Sequence, residues 1–441
     1  MLDVKLMTLD PAHFHAALIH KEMLPGVSKR VHVFGPMGPD LIAHLNRLMQ
    51  FNTRAANPTL WELEVHAAPD YFDRMLRQQP GNVVVLAGRN HRKIDSMLAC
   101  VNAGLHVLAD KPWIIRSADL PKIQSVFRAA ELRDLVVSDI MTERFEITSI
   151  LQRALVDEPS IFGHCLPGSA TTPAVTMESI HAIRKNVSGS ALRRPASFFD
   201  IEQNGEALAD VGTHLADLVI WILSRSGSID YQTDVRMIAG SRWPTELSLS
   251  DYRDVSGESA LPPSVADQVK DDRFTFLCNN QVSFQILGIH VRLTIRWDYE
   301  IAAGDVHRAS FQGSRSRIEV TQGTDAGSRP QLAVVPNERG DLQRLAGELE
   351  RWTRTVRPIF LGLASIELPD RIQIQIPEGL RVGHEAHFGQ VTNQFLRYLW
   401  NPRMQPAAEK PNLLAKYFIT TAGVDLARRS AGGPRSEKGP R

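Results

Sequence analysis

Over its first 140 residues the chain alternates between two hydrophobic periods, and this restricts its fold more than any other feature. Short β-rich runs fall at 4–9, 31–34, 63–66, 83–87, 106–108 and 135–137. Helical patterns lie between most of them. FHAALIHKEML (14–24) carries Phe14, Ala17, Leu18 and Leu24 about one or two turns apart. DSMLACVNAGLHV (95–107) runs a helix into Gly104, a C′ residue, and straight on into a strand. SADLPKIQSVFRAAELRDL (117–135) offers Ser117 as N-cap and a stripe through Leu120, Ile123, Phe127 and Leu132. Strands alternating with helices require right-handed crossovers and build a parallel sheet covered on both faces.

The later sequence changes character. RFEITSILQRALVD (144–157) and GEALADVGTHLADLVIWILS (205–224) are helical in pattern. After Ser224 six β-rich runs follow on short connections, then LQRLAGELERWTRTV and HFGQVTNQFLRYLW add late helices. The expected fold class is α/β followed by α+β. A Rossmann doubly wound domain spans 1–140. An α+β domain with a large mixed or antiparallel sheet spans 141–428 and serves substrate binding and oligomerisation. A basic, Gly/Pro-rich stretch over 429–441 is expected to be a disordered tail.

Composition narrows the function classes. Fifty basic against 49 acidic residues leave a formal charge of +1, which gives no electrostatic reason for a nucleic-acid partner or an anionic membrane. Three distant cysteines, Cys100, Cys165 and Cys278, make neither a disulfide framework nor a metal spacing. Met1 leads at once into an apolar run, so no signal peptide is expected, and a cytoplasmic location follows. No apolar run is long enough to suggest a membrane span.

One stretch carries a family likeness: VVVLAGRNHRKIDSMLACVNAGLHVLADKPW, residues 83–113. A buried strand ends in Gly88–Arg89–Asn90–His91; a helix and a second strand lead to Asp110–Lys111–Pro112. This resembles the Gfo/Idh/MocA family of nicotinamide-dependent oxidoreductases, which carry an Asn/His loop and then an acidic–Lys–Pro motif. The family usually has Glu where Asp110 stands. GEALADVGTHLADLVIWIL places Asp210 and His214 at the family's Asp and His, four apart, and VVSDIMTERF resembles its sixth strand. Blocks such as HAIRKNVSGSALRRPASFFDIEQNGE and GHEAHFGQVTNQFLRYL point to a branch with its own C-terminal domain. The resemblance covers residues 1 to about 425.

The resemblance implies an enzyme that passes a hydride between NAD and a hydroxyl carbon of a sugar or cyclic polyol, NADP being left open. It implies a homo-oligomer built on the open face of the C-terminal sheet. Such chemistry needs a base for the hydroxyl proton with a pKa near the working pH. Lys111, after a parallel strand and before Pro112, would lie beside the cofactor ribose and the substrate hydroxyl. His214 would accept the proton, and Asp210 would bind a hydroxyl or orient the imidazole; the roles of His214 and Lys111 are interchangeable. On pattern alone, a surface Lys–Pro turn is the better reading of Lys111, and only the resemblance reverses it; Asp210 with His214 also reads as an ordinary helix face. Cofactor contacts are expected from Asp10, Ala12, His13, Phe14, Gly88, Asn90, His91, Asp110 and Lys111.

Substrate contacts are expected from His181 and Lys185, four apart on a helical face, or an exposed basic end. Asp200 is expected on a strand beside Glu202, both on one face. GHEAHF, with His384 and His387, is a helix start, and no metal is expected.

The first turn, TLDPAHFHAALIH (8–20), contains no glycine. Asp10 as N-cap and Pro11 at N1 would specify the helix, and Ala12, Ala16 and Ala17 are small enough for close packing. Closest backbone approach to a pyrophosphate is lost, so a shifted site is expected, with His13 or His15 as donors. Two other readings stay open. One is a non-catalytic nucleotide- or sugar-binding regulator; the other is an NAD-dependent, redox-assisted glycosidase or 3-keto-sugar enzyme.

Overall fold

The computed structural model describes residues 3–187, 190–225, 227–302, 304–323 and 327–430. The chain packs as two compact units: Met1–Phe145 with Gly383–Lys410, and Glu146–Val382 with Pro411–Arg441.

The first unit holds six strands: β1 (Leu6–Leu9), β2 (Arg30–Gly35), β3 (Glu62–Ala67), β4 (Val83–Leu86), β5 (His106–Asp110) and β6 (Val137–Ile140). All pair in parallel, in the order β3-β2-β1-β4-β5-β6. The order reverses between β1 and β4, the switch point where a doubly wound sheet opens a ligand crevice at its carboxyl edge. Every residue of β1 and β4 is buried. Central strands covered on both faces need such near-continuous apolar runs, broken here only by Thr8. Each buried Val or Leu contributes about 1.5–3 kcal/mol.

The helices of this unit are α1 (His15–Leu18), α2 (Pro39–Thr53), α3 (Tyr71–Gln78), α4 (Lys93–Asn102) and α5 (Leu120–Glu131). Gly104 follows α4 at φ +85°, the left-handed C′ position its place predicts. Three local expectations are corrected. The first helix is a single turn, and neither Asp10 nor Pro11 starts it: Phe14 is its N-cap, and Asp10 sits at φ +45°. Ser117 opens a short 3-10 turn instead of capping; α5 begins three residues later, with Pro121 in its first turn. β6 lies further along the chain than 135–137.

The second domain read continuously over 141–428 is also interrupted. The helix His384–Trp400 belongs to the first unit, where Phe388, Val391, Phe395 and Leu396 share a core with Val83, Val85 and Leu108. Its apolar stripe buries there because the helix complements that sheet face, which proximity in sequence cannot reveal.

The second unit is built on a ten-stranded mixed sheet among the described residues. At its middle, β7 (Val175–Ala182) runs parallel to Ile289–Asp298 and antiparallel to Val306–Gln312. Helices α6 (Ile147–Val156), α7 (Ile201–Asn204) and α8 (Gly212–Leu223) belong to this unit. Leu287 and Gly288, both at positive φ, turn the hairpin between Arg273–Ile286 and Ile289–Asp298. The last helix ends at Arg429, and the rest of the expected tail, from 431, lies outside the described residues. No helix among the described residues is long and apolar enough to cross a membrane.

Candidate active site

In the first unit the turns after β1, β4 and β5 meet at the carboxyl edge of the sheet. Counting from the end of β1, the three glycine places of a G-x-G-x-x-G turn are filled by Asp10, Ala12 and His15. Asp10 takes the left-handed backbone that glycine normally supplies, at a cost that Asp and Asn tolerate best. Opposite it, Gly88 has no room for a side chain: a Cβ there would lie 2.7 Å from Asp10 Oδ2. The Ala12 N–H bonds to Asp10 O, and the His13 N–H to Ala87 O at 3.0 Å. Two backbone donors of the turn are therefore engaged within the protein.

The side chains of this turn reach across to β5. His13 Nδ1 lies 2.8 Å from Asp110 Oδ2, and His15 Nδ1 lies 3.0 Å from Asp110 Oδ1. Asp110 is 1% exposed. Burial pushes its carboxyl upward, but the two histidines hold it well below the usual carboxylate range. Burial lowers the His15 imidazole to about 3, against the pull of Asp110. Phe14 packs its ring edge-on to His15 and beneath Arg47.

Asn90 and His91 lie in the short 3-10 turn that precedes α4. Lys93, 2% exposed, donates to Asn90 Oδ1 at 2.9 Å and to the carbonyl of Lys111 at 3.4 Å. A buried ammonium thus ties the loop after β4 to the motif after β5. Lys111 is itself 6% exposed and is joined to Pro112 by a cis peptide. Arg89, from the same loop, pairs with Asp40 of α2 at 3.7 Å. Burial raises Asp40, with Arg89 opposing and the Asp10 charge adding to the rise. Arg89 reaches Asp40 from another crossover, so no local pattern after β2 marks this pair.

In the second unit, Asp210 and His214 do not share one helix. Asp210 lies in the turn before α8, where its Oδ2 accepts from Asn204 Nδ2 at 3.3 Å, and His214 lies in the first turn of α8. Asp217, one turn on, is ion-paired with Lys416 at 3.3 Å, both side chains buried.

His181 and Lys185 do meet, but not on a helix. His181 is on β7 and Lys185 follows the strand; both bind Asp305 Oδ2, at 3.1 and 2.8 Å. Asp305 Oδ1 accepts from the Ala182 N–H, and His181 Nε2 faces Ser179 Oγ at 2.8 Å. Burial works upward on Asp305, yet His181 and Lys185 hold it far below the carboxylate range. Arg194 lies over Phe198 and Trp297 and donates to the carbonyls of Ile183 and Ala182. Burial lowers it to about 10, while Asp305 and Asp210 raise it. Asp305 and Ser179 were not legible in the sequence, since no motif marks them.

Asp200 is not on a strand. It caps α7, accepting from the Glu202 N–H, and its Oδ2 accepts from Gln203 and Ser264. Asp and Asn favour such capping over strand positions.

Residues 151–428 match the family model described as "Putative oxidoreductase C terminal domain", well over half of the chain. A crystal structure of a "putative oxidoreductase" from Parabacteroides merdae is 39% identical, with a TM-score of 0.93 over 97% of this chain and 98% of that one. The chain belongs to the Gfo/Idh/MocA oxidoreductases, in the branch with this C-terminal domain. More distant solved structures share the fold. Levoglucosan dehydrogenase, solved with NADH and levoglucosan, is 12% identical, with a TM-score of 0.59 over 96% of this chain and 97% of that one. KijD10, a 3-ketoreductase from Actinomadura kijaniata solved with NADP, is 12% identical, with a TM-score of 0.55 over the same shares. No protein of curated function matches the sequence.

Proposed function

We propose that the protein oxidises or reduces a hydroxyl carbon of a sugar or cyclic polyol with a nicotinamide dinucleotide held by the first unit. The observation that carries this reading is the Lys93 ammonium, buried between Asn90 and the Lys111 carbonyl beside the β1/β4 switch point. It fixes the two loops that the family likeness assigns to the cofactor.

The residues present fit such a group with one displacement. Gly35 at the end of β2, Gly38 beyond it and Gly88 after β4 carry no side chains into the edge. Asp10 and Asp40 suit ribose hydroxyls and repel phosphate, whereas His13, Asn90 and Lys111 offer donors. The pyrophosphate would then lie toward His13 and away from Asp10. A bound nicotinamide would supply the hydride acceptor. Lys111 would orient the substrate hydroxyl and lower its pKa, and His214 would take its proton, with Asp210 binding a neighbouring hydroxyl. His181 and Lys185, which meet at Asp305, would bind further hydroxyls. NAD is the preferred cofactor; levoglucosan dehydrogenase with NADH and the ketoreductase with NADP are relatives that span both. A cytoplasmic location and self-association through the sheet face carrying Thr176, Glu178, Thr294 and Arg308 belong to the same reading.

The test is direct. The purified protein is denatured, any released nucleotide is identified by mass spectrometry, and the apoprotein is titrated with NAD and NADP. Nanomolar to micromolar binding of either is expected; absence of both would leave a non-catalytic regulator. A panel of sugars and polyols on wild type, Lys111→Ala and His214→Ala then tests the catalytic assignment.

A further inference from the structure

We propose that His13, His15 and Asp110 form a binding site for a six-coordinate divalent transition-metal cation. Two imidazoles and one carboxylate, drawn from segments 97 residues apart, offer donor atoms that all lie within 4.8 Å of one another. The His13 Nδ1 to Asp110 Oδ2 distance is 2.8 Å, and His15 Nδ1 lies 3.0 and 3.2 Å from the two carboxylate oxygens. Metal–ligand bonds of about 2.1 Å at right angles place neighbouring donors about 3.0 Å apart, whereas a tetrahedral site spaces them at roughly 3.4 Å. The two imidazole–carboxylate edges therefore match octahedral spacing more closely than tetrahedral, and three protein donors leave three of six positions for water or ligand oxygens.

The ligands are held in place without the ion. Asp110 ends a buried strand, His15 is buried, and the His13 ring sits edge-on to it at 3.9 Å between centroids. Entry is available from the His13 side, where 39% of that side chain is exposed. Without a cation each imidazole donates Nδ1–H to the carboxylate. Coordination moves that proton to Nε2, and metal–ligand bonds replace the hydrogen bond from each imidazole to the carboxylate. The neighbouring Lys111 charge opposes the cation, and affinity rests on the Asp110 carboxylate.

A second cluster, His32, Glu64 and His66, does not share this geometry. His32 Nδ1 lies 3.3 Å from both His66 Nε2 and Glu64 Oε2, a wider spacing than the 2.8–3.2 Å around Asp110 and nearer the tetrahedral value. A cation at His13 would also return positive charge to a turn whose backbone donors are engaged. That charge matters only if a dinucleotide binds there; the cation site does not depend on it.

The full-length protein is treated with chelator and titrated with MnCl2 and CoCl2 by calorimetry, the cobalt arm also by visible absorption. One equivalent is expected, with the weak absorption of six-coordinate Co(II). Affinity should fall at least tenfold in His13→Gln and in Asp110→Asn, and stay unchanged in His32→Gln/His66→Gln. His13 is half-exposed, so His13→Gln should fold like wild type, which thermal unfolding checks. No binding by wild type, or wild-type binding by His13→Gln, overturns the site. Cation binding without NAD or NADP binding upholds it and sinks the dinucleotide reading; nucleotide binding without cation binding does the reverse.

Discussion

His15 Nδ1 lies 3.0 Å from Asp110 Oδ1, inside a core that leaves only 1% of Asp110 exposed. This contact joins the turn after the first strand to the end of the fifth. It also explains how a turn without glycine stays ordered. The third glycine place of a dinucleotide turn normally permits close packing of helix on strand. Here a histidine occupies it and is accommodated because a carboxylate waits opposite.

That burial makes the first unit sensitive to acid. His15 and His44 are lowered to about 3, and His20 and His387 to about 4, each mainly by burial. In the unfolded chain each would titrate near 6.5. Between those values the unfolded state binds more protons, so stability rises with pH, and it is lost as pH falls from 6.5 toward 3. Each group contributes a slope of at most about 1.4 kcal/mol per pH unit. Urea unfolding midpoints should be flat from pH 7 to 8 and drop steeply below 6. A midpoint independent of pH down to 4 would contradict the buried neutral histidines.

The Asp217–Lys416 pair is 2% and 1% exposed. Removing one partner strands the other charge in the core. Asp217→Ala should destabilise the protein by about 3–5 kcal/mol, and Asp217→Leu/Lys416→Met should recover most of that loss. Denaturant unfolding of the single and double variants measures the difference; equal losses would mean that pairing is not what matters there.

Lys93 binds no expected ligand itself but fixes Asn90 and the Lys111 backbone. Lys93→Met keeps the apolar stem and deletes the charged hydrogen bonds, each worth about 1.5–3 kcal/mol. Nucleotide affinity should weaken roughly tenfold or more, with the fold retained by circular dichroism. Unchanged affinity would show that the loops are held by other contacts.

Lys111→Ala and His214→Ala should each lower kcat by about 10²–10⁴ on whichever polyol proves to be a substrate, the range typical for loss of an acid–base group. NAD affinity should be preserved in His214→Ala. Steady-state kinetics with a fluorescence titration separate the two effects. A variant that retained full kcat would not hold the role assigned to it.

Within single elements the sequence was informative. The β-rich runs that became β1 and β4, alternating with helical patterns, announced strands of a parallel sheet, and the unbroken apolar run Val83–Leu86 marked a buried one. Gly104 announced the end of α4, because few other residues take its backbone angles. Asn90, Lys111, Asp210 and His214 were legible as candidates through their motifs. Local patterns misled where a longer-range bond competed with them. Asp10 suits an N-cap, yet packs against Gly88 instead. Asp200 alternates with Glu202 as in a strand, yet caps a helix and is satisfied by Ser264.

The sequence by itself determined the strand–helix alternation, the family and the motif residues, since these rest on periodicity and on side chains close along the chain. Only the tertiary structure decided what those side chains meet. It brought Asp110 to His13 and His15, Asp305 to His181 and Lys185, and the helix His384–Trp400 back to the first sheet. Partners separated by 95 to 124 residues leave no local pattern, because hydrogen bonding and ion pairing depend on distance in space and not on spacing in the chain.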